Sequence, residues 1–190
     1  MQPRIPRQPA QDQGGIHADD DAGLGAELAA VVAGARRRAV RDGDRQVDTA
    51  HLLHSLIEND PEVRGVIGDA QLARLLGYLV QRSIGYGLRW QSGVEDSGAL
   101  PALTPPEGKG DGGWSPVAAA AVEYARSRAR RRGAARAHGI DLLAGLVGDP
   151  QSRAVEVLER AGVAVRELAV RIDGDEQLRD PGLENRTSSR

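Results

Sequence analysis

Two stretches of the chain decide its fold: residues 32–56 read VAGARRRAVRDGDRQVDTAHLLHSL, and residues 122–146 read VEYARSRARRRGAARAHGIDLLAGL. At an offset of 90 residues, ten of the 25 aligned positions are identical. The identical residues of the first stretch are Val32, Ala35, Arg36, Arg38, Ala39, Arg41, Gly43, Leu52, Leu53 and Leu56. A match of this extent at a fixed offset indicates an internal duplication.

Each copy has the periodicity of helices. Apolar residues recur every three or four positions, and Gly43 and Gly133 are helix stop signals. Asp48 or Thr49 can begin the next helix of the first copy, and Ser115 begins the second copy. No segment alternates apolar and polar residues as a half-buried strand does, so we expect no strands.

The predicted fold is all-α, with two pseudo-symmetric four-helix repeats packed into one eight-helix domain. A repeat of roughly 60 residues that contains no Phe is too small to bury an adequate core by itself. We therefore expect the two repeats to pack against each other.

Changes in composition divide the chain into five parts. They are a disordered N-terminal arm (1–22), the first repeat (23–90), a Gly/Pro-rich linker (91–113), the second repeat (114–173) and a disordered C-terminal tail (174–190). The three Pro residues near the start and the clustered Gly, Ser and Pro of the linker are the main evidence for these boundaries.

The overall composition excludes several classes of protein. The 190 residues contain no Cys, which excludes disulfides, thiol nucleophiles and thiolate metal sites. There are 24 Arg and one Lys, yet the net charge is −2, so the chain as a whole is not a general polyanion binder. No apolar run is long enough to span a membrane and no signal peptide is recognisable. We expect a cytoplasmic protein with no membrane partner.

Catalytic motifs are missing from the sequence. The single lysine, Lys109, is followed by Gly110 rather than Ser or Thr, so it does not form a P-loop. His51 and His54 are one helical turn apart, but no third ligand is evident, and we interpret them as ordinary helix residues rather than a metal site. We therefore predict a protein that is not an enzyme and that uses no cofactor or metal.

Arginine clusters close the first helix of each copy and have two interpretations. The first cluster comprises Arg36, Arg37, Arg38, Arg41 and Arg45, and the second comprises Arg126, Arg128, Arg130, Arg131, Arg132 and Arg136. The candidate anion-binding residues among them are Arg36, Arg37, Arg38, Arg126, Arg130, Arg131 and Arg132. They could bind an anionic ligand or nucleic acid. They could also simply complement the C-terminal end of a helix. We favour the second interpretation because acidic residues offset the charge and no aromatic residues interleave with the arginines.

The few aromatic residues gather around the linker. Tyr86 and Trp90 precede it, Trp114 follows it, and Tyr124 lies near the start of the second repeat. Our first interpretation is that the Trp rings hold the linker across the seam between the repeats. The alternative is that these rings line a peptide-binding groove.

The duplicated segments resemble the Clp N-terminal repeat. Residues 47–56, V-D-T-A-H-L-L-H-S-L, resemble its V-G-T-E-H-L-L-L-G-L signature, and residues 114–116, 141–146 and 157–163 resemble its second copy. The likeness covers about residues 24–173. It implies the all-α double-repeat domain of ClpC-, ClpA- and ClpB-type AAA+ unfoldases, which docks adaptors and substrate proteins. In ClpC-like members this domain also binds phosphoarginine-tagged proteins and cyclic-peptide antibiotics.

The resemblance to the phosphoarginine-reading T-E-H motif is partial. Thr49 matches, but Ala50 and Ile140 stand where the motif has Glu, and this change removes charge-assisted hydrogen bonds to a guanidinium.

The resemblance favours a free-standing, non-catalytic module of the Clp chaperone–protease system that acts as adaptor, competitor or ligand sink. Its partners would be Clp unfoldase or protease subunits, their substrates, or cyclic peptides. The predicted partner-binding residues are Thr49, Tyr86, Trp90, Trp114 and Tyr124. Anion or nucleic-acid binding by the arginine clusters is the alternative.

Overall fold

The computed structural model describes residues 23–83, 95 and 113–179. In these ranges the first repeat contains α1 (Ala26–Asp42), β1 (Gln46–Val47), α2 (Thr49–Asn59), α3 (Pro61–Ile67) and α4 (Asp69–Ser83). The second contains β2 (Gly113–Trp114), α5 (Pro116–Arg131), α6 (Gly139–Gly148), α7 (Arg153–Arg160) and α8 (Val165–Arg179). The eight helices of the described ranges confirm the predicted all-α fold.

The helix ends follow the local signals that the sequence contains. Gly43 ends α1 in the left-handed conformation with φ of 75°, which an L-residue with a side chain adopts at a cost. The side chain of Asp48 caps α2, and that of Asp60 caps α3. Ser115 caps α5, whose first residue is a proline.

Part of the predicted organisation lies outside the described residues. This applies to the arm 1–22, to the linker except for Glu95 and Gly113, and to residues 180–190 of the tail. The last helix, α8, continues to Arg179 rather than ending near residue 173. Glu, Gln, Leu and Arg in this added stretch all favour a helix, and the first proline after it is Pro181.

One continuous hydrophobic core lies between the repeats. Helix α1 packs on α2, and α5 packs on α6. The two central helices, α2 and α6, contact each other and also reach α7 and α3 of the opposite repeat. Their inward side chains are completely buried: Leu52, Leu53, Leu56, Leu142, Leu143 and Leu146. The repeats therefore form a single eight-helix domain, as the lack of large aromatic residues in each copy predicted.

The expectation of no strands was wrong. Strand β1 pairs in parallel with β2, and an isolated parallel bridge joins Leu24 to Ala137. A two-residue strand is too short to produce an alternating pattern, so the sequence had no strand signal.

The two pairings are copies of each other. The bridge Leu24–Ala137 and the pair Trp114–Val47 are related by the same 90-residue offset as the repeats. The amide of Ser115 donates to the carbonyl of Val47 at 2.9 Å, and the amide of Gly25 donates to that of Ala137 at 2.9 Å. The pseudo-twofold symmetry therefore extends to backbone hydrogen bonds between the repeats.

Candidate functional site

Thr49, which matches the first residue of the T-E-H motif, is fully buried at the first position of α2. Its amide donates to Oε2 of Glu95 at 2.9 Å, and its hydroxyl donates to Oε1 of the same carboxylate. The Thr49 hydroxyl also accepts from the amide of Ala154 at 2.9 Å. Thr49 thus joins the start of α2 to the start of α7 and to a residue of the predicted linker.

The carboxylate of Glu95 is the centre of a polar junction between the repeats. It also accepts from the hydroxyl of Ser115 at 2.7 Å and from the amide of Arg153 at 2.7 Å. Glu95 is 4% exposed. We call the group formed by Thr49, Glu95, Ser115, Arg153 and Ala154 the α2–α5–α7 junction, because it lies where these three helices begin.

Sequence reasoning missed Glu95 and Arg153. Glu95 stands in a Gly-, Ser- and Pro-rich stretch without periodicity, and no local signal separates it from Asp96 beside it. Arg153 is the first residue of a short helix, where a solvent-facing side chain is the usual expectation. Only the folded topology, which brings α2 and α7 together, identifies either residue.

A buried ion pair lies beside the junction. Nη1 of Arg153 lies 2.7 Å from Oδ2 of Asp48, and Nδ1 of His51 lies 2.7 Å from Oδ1 of the same carboxylate. Burial opposes the charge of Asp48, but the hydrogen bonds from His51 and Arg153 outweigh it and hold the pKa of Asp48 below its ordinary value. Asp48 is therefore charged at neutral pH and helps to join the repeats.

The two histidines of α2 have carboxylate neighbours. Nε2 of His51 lies 3.2 Å from Asp44, and Nε2 of His54 lies 3.3 Å from Glu58. Burial, aided by the charge of Arg38, lowers the pKa of His54 to about 4. Within the described part of the chain, no three His, Cys, Asp or Glu residues are placed to hold a metal ion.

The exposed side of α5 carries an aromatic ring with charged side chains around it. Tyr124 is 43% exposed, and the guanidinium of Arg131 lies 5.5 Å from its ring centroid. Glu123 is bonded to Arg130 at 2.8 Å and lies 3.6 Å from Arg126, and the Arg130 hydrogen bond holds the pKa of the Glu123 carboxyl below its usual range. We call Glu123, Tyr124, Arg130 and Arg131 the α5 surface.

Trp114 lies at the seam between the repeats. Its backbone pairs with Val47 of the first repeat, and the guanidinium of Arg36 lies 5.2 Å from its ring centroid. The side chain is partly buried against the core. Tyr86 and Trp90, the other two aromatic residues predicted to bind a partner, lie outside the described residues.

Most of the clustered arginines have partners within the fold. Arg38 pairs with Glu58, and Arg132 bonds to both carboxylate oxygens of Asp141. Arg36 and Arg131 lie over aromatic rings, and Arg126 and Arg130 approach Glu123. Arg37 is exposed. The two clusters therefore belong to ion pairs and ring contacts of the two repeats rather than forming one continuous cationic patch.

The described chain is a duplicated all-α domain whose halves are joined by symmetric backbone bridges. It is similar to the solved N-terminal domain of the caseinolytic protease associated chaperone ClpD from Arabidopsis thaliana, with a TM-score of 0.56 and 18% identity over 82% of this chain and 95% of that chain. A structure from preliminary investigations of a malarial protein secretion system is also similar, with a TM-score of 0.57 and 13% identity over 80% of this chain and 94% of that one.

Sequence comparison finds neither a matching family nor a matching curated protein. The structural similarity nevertheless shows that the protein has a Clp N-terminal domain-like fold, as the sequence resemblance predicted. None of the helices in the described ranges has the length and apolar character needed to cross a membrane.

Proposed function

We propose that the protein is a non-catalytic protein- or peptide-interaction module of the cytoplasmic Clp chaperone–protease system. The observation that carries this proposal is the complete double-repeat fold, which matches the ClpD N-terminal domain over 95% of that domain's length. Its partners would be Clp subunits, their substrate proteins or cyclic peptides, and its role that of adaptor, competitor or ligand sink.

The α5 surface is the contact region that we propose for the partner. Tyr124 offers an exposed ring, and Arg130 and Arg131 beside it are the kind of residue that protein interfaces favour. Trp114 at the seam stays a predicted contact residue, as do Tyr86 and Trp90, which lie outside the described residues. Thr49 is fully buried, so its contribution would be to position the start of α2 rather than to touch the partner.

The test uses the full chain immobilised on a sensor surface. A purified Clp-type AAA+ unfoldase and a permanently unfolded substrate protein are passed over it separately. Tyr124→Ala should weaken binding about tenfold, in the range of an aromatic interface residue, while leaving the melting temperature within about 1 °C. Val170→Ala on α8, which truncates an apolar residue that is 72% exposed, is the matched control. Absence of binding to both analytes by the folded protein would reject the proposal.

Anion or nucleic-acid binding is the second candidate function. The repetition of arginines at equivalent positions of both repeats favours it, and Arg37 is exposed. The ion pairs of Arg38, Arg130 and Arg132 count against it, because a phosphate would have to compete with those carboxylates. Binding of labelled duplex DNA should fall steeply with salt and weaken in Arg37→Ala if this candidate is right. If the protein does not bind DNA at low salt, this second candidate function is rejected.

A further inference from the structure

The exposed side of α1 ends in a valine that lies beside two arginines. Val40 is 74% exposed. Arg37 lies three residues before Val40 and four before Arg41, the spacings at which side chains are neighbours on a helix surface. Towards the start of α1, the half-buried Ala33 and the exposed Ala30 continue this side of the helix without a charge. We call Arg37, Val40 and Arg41 the α1 surface.

Neither arginine of the α1 surface is held strongly within the fold. Among the residues that the structure describes, no carboxylate lies within ion-pair distance of Arg37, which is exposed. Nε of Arg41 lies 3.5 Å from Oδ1 of the adjacent Asp42, and the Arg41 side chain is 62% exposed, so this pair contributes little. The nearby Asp44 faces His51, whose Nε2 lies 3.2 Å from it. The α1 surface therefore places an apolar side chain next to two cations that a partner can reach.

The second repeat shows which groups complete a surface of this kind. Arg130 and Arg131 stand at the positions equivalent to Val40 and Arg41. Arg130 is bonded to the carboxylate of Glu123 at 2.8 Å, and the guanidinium of Arg131 lies 5.5 Å from the ring centroid of Tyr124. In the second repeat, a carboxylate and an aromatic ring from the same helix therefore cover the arginines.

The first repeat lacks both of these groups. Ala33 and Gly34 stand where the second repeat has its glutamate and its tyrosine. Gly34 lies against α2, where an added Cβ would collide with Oγ of Ser55, so the packing excludes a ring at this position. A partner that carries a carboxylate and a ring would supply the groups that the first repeat does not have.

We propose that the α1 surface binds a protein segment in which acidic residues adjoin aromatic residues. The carboxylates pair with Arg37 and Arg41, and the ring packs on Val40 and on Ala33 beside it. Val40 favours a protein partner over a nucleic acid, because the phosphate contacts that dominate nucleic-acid binding gain nothing from an apolar side chain. This inference rests on the proposed interaction function and adds to it a second contact surface and the chemistry of its partner.

The experiment titrates the full chain into a fluorescein-labelled peptide that contains two Glu-Tyr pairs one helical turn apart, and measures the anisotropy. Two reference peptides carry Gln in place of Glu, or Ala in place of Tyr. Each reference peptide should bind at least about fivefold more weakly, because it loses either the ion pairs or the ring contact. Added salt should weaken binding of the acidic peptide and hardly affect the peptide with Gln.

Variants of the protein locate the contact. Val40→Gln and Arg37→Glu should each weaken binding of the Glu-Tyr peptide about tenfold, whereas Val170→Gln, which changes a valine that is 72% exposed on α8, should bind it unchanged. Ala33→Glu places a carboxylate one turn before Arg37, where it competes with the peptide, so it should also weaken binding about tenfold. Ala33→Gln is its uncharged control and should bind nearly as the unaltered protein does.

The outcomes separate this proposal from the proposed function. If Val40→Gln and Arg37→Glu bind the peptide as tightly as Val170→Gln, the α1 surface is not the site and the proposal is overturned. It is also overturned if duplex DNA binds more tightly than the peptide and binds Val40→Gln equally well, because the surface then recognises phosphates. A chain that binds an unfoldase or an unfolded substrate protein but not the peptide overturns this proposal alone. A chain that binds none of the three rejects the proposed function as well.

Discussion

Helices α2 and α6 begin with the same kind of cap, but the aspartate and the histidine that form it have exchanged positions. In α2 the N-cap is Asp48, whose carboxylate accepts from the amide of His51 at 2.8 Å. In α6 the N-cap is His138, whose amide donates to the carboxylate of Asp141 at 2.9 Å. Each carboxylate also pairs with an arginine. Asp48 pairs with Arg153 of the opposite repeat, and Asp141 pairs with Arg132 of the same repeat. The duplication has kept a charge at the helix start while changing which residue carries it.

The two repeats differ in structure at the next position. Thr49 reaches across to α7 and Glu95, whereas the equivalent Gly139 has only a hydrogen atom facing Asp60. A similar difference occurs where the helices cross, because Ser55 donates to the carbonyl of Val31, and the equivalent Gly145 packs directly on the backbone of Ala121. At these two positions the first repeat contacts its neighbours through hydrogen bonds from hydroxyl groups, whereas the second repeat contacts them through the close approach of a glycine backbone.

The largest loss of stability is expected when Gly139 of the second repeat is replaced by threonine, the residue at the equivalent position of the first repeat. Gly139→Thr would put a Cβ within 1.8 Å of Oδ2 and 2.8 Å of Cγ of Asp60, in a buried position with no room to move. We expect the free energy of unfolding to fall by about 3 kcal/mol or more in urea titrations. Gly148→Ala is the control, because nothing lies within 4 Å of its added Cβ. A loss below about 1 kcal/mol for Gly139→Thr would contradict the packing difference.

Removing the charge that joins the repeats should have the next largest effect. Asp48→Asn keeps an N-cap but removes the negative partner of Arg153, and we expect a loss of about 2–3 kcal/mol at pH 7. Because the pKa of folded Asp48 lies below its ordinary value, this contribution is complete above that value and is lost as the pH falls below it. The difference between Asp48→Asn and the unaltered protein should therefore shrink in acid. A difference that stays constant down to pH 2 would refute the assignment.

A pH effect specific to the first repeat is expected from His54, whose equivalent in the second repeat is Ala144. Its pKa falls from 6.5 to about 4 on folding, so the unfolded chain binds a proton first as the pH drops. Stability should decrease between about pH 6.5 and pH 4, by about 2 kcal/mol at pH 4.5. The charged groups that act on it are Arg38, Glu58, Asp42 and Arg41.

His54→Gln should flatten this part of the pH profile. His138→Asn, which changes an exposed histidine to another good N-cap residue, should leave the profile unchanged. Equal slopes in the two variants would show that His54 is not the group responsible.

The smallest loss of stability is expected for a substitution on the α5 surface. The side chain of Arg130 is 62% exposed in its pair with Glu123, so Arg130→Ala should cost about 0.5 kcal/mol or less. The same urea titration measures it, and 1 M salt should remove most of the difference. A loss above 1.5 kcal/mol would mean that this pair supports the fold and is a poor candidate for a partner-binding surface.

The sequence predicts the helices and the duplication well because both depend on local patterns. Gly43 ends a helix through its backbone conformation, and Asp48 and Ser115 begin helices through side-chain hydrogen bonds to nearby amides. All three signals are local in the sequence. The junction could not be predicted in the same way, because Thr49 and Arg153 are more than 100 positions apart and Glu95 lies in a stretch without a pattern. The positions of the arginine clusters can be read from the sequence, but their ring and carboxylate partners depend on the packing of neighbouring helices.

The paired bridges Leu24–Ala137 and Val47–Trp114 also determine how the chain folds. Each one closes a long loop, so the amides of Gly25, Ser115 and Ala137 find their backbone acceptors only when both repeats are present. Contacts of such high sequence separation slow folding relative to a simple helical bundle. They also make the two repeats one cooperative unit, so a chain cut between them would have to reassemble both halves to regain either.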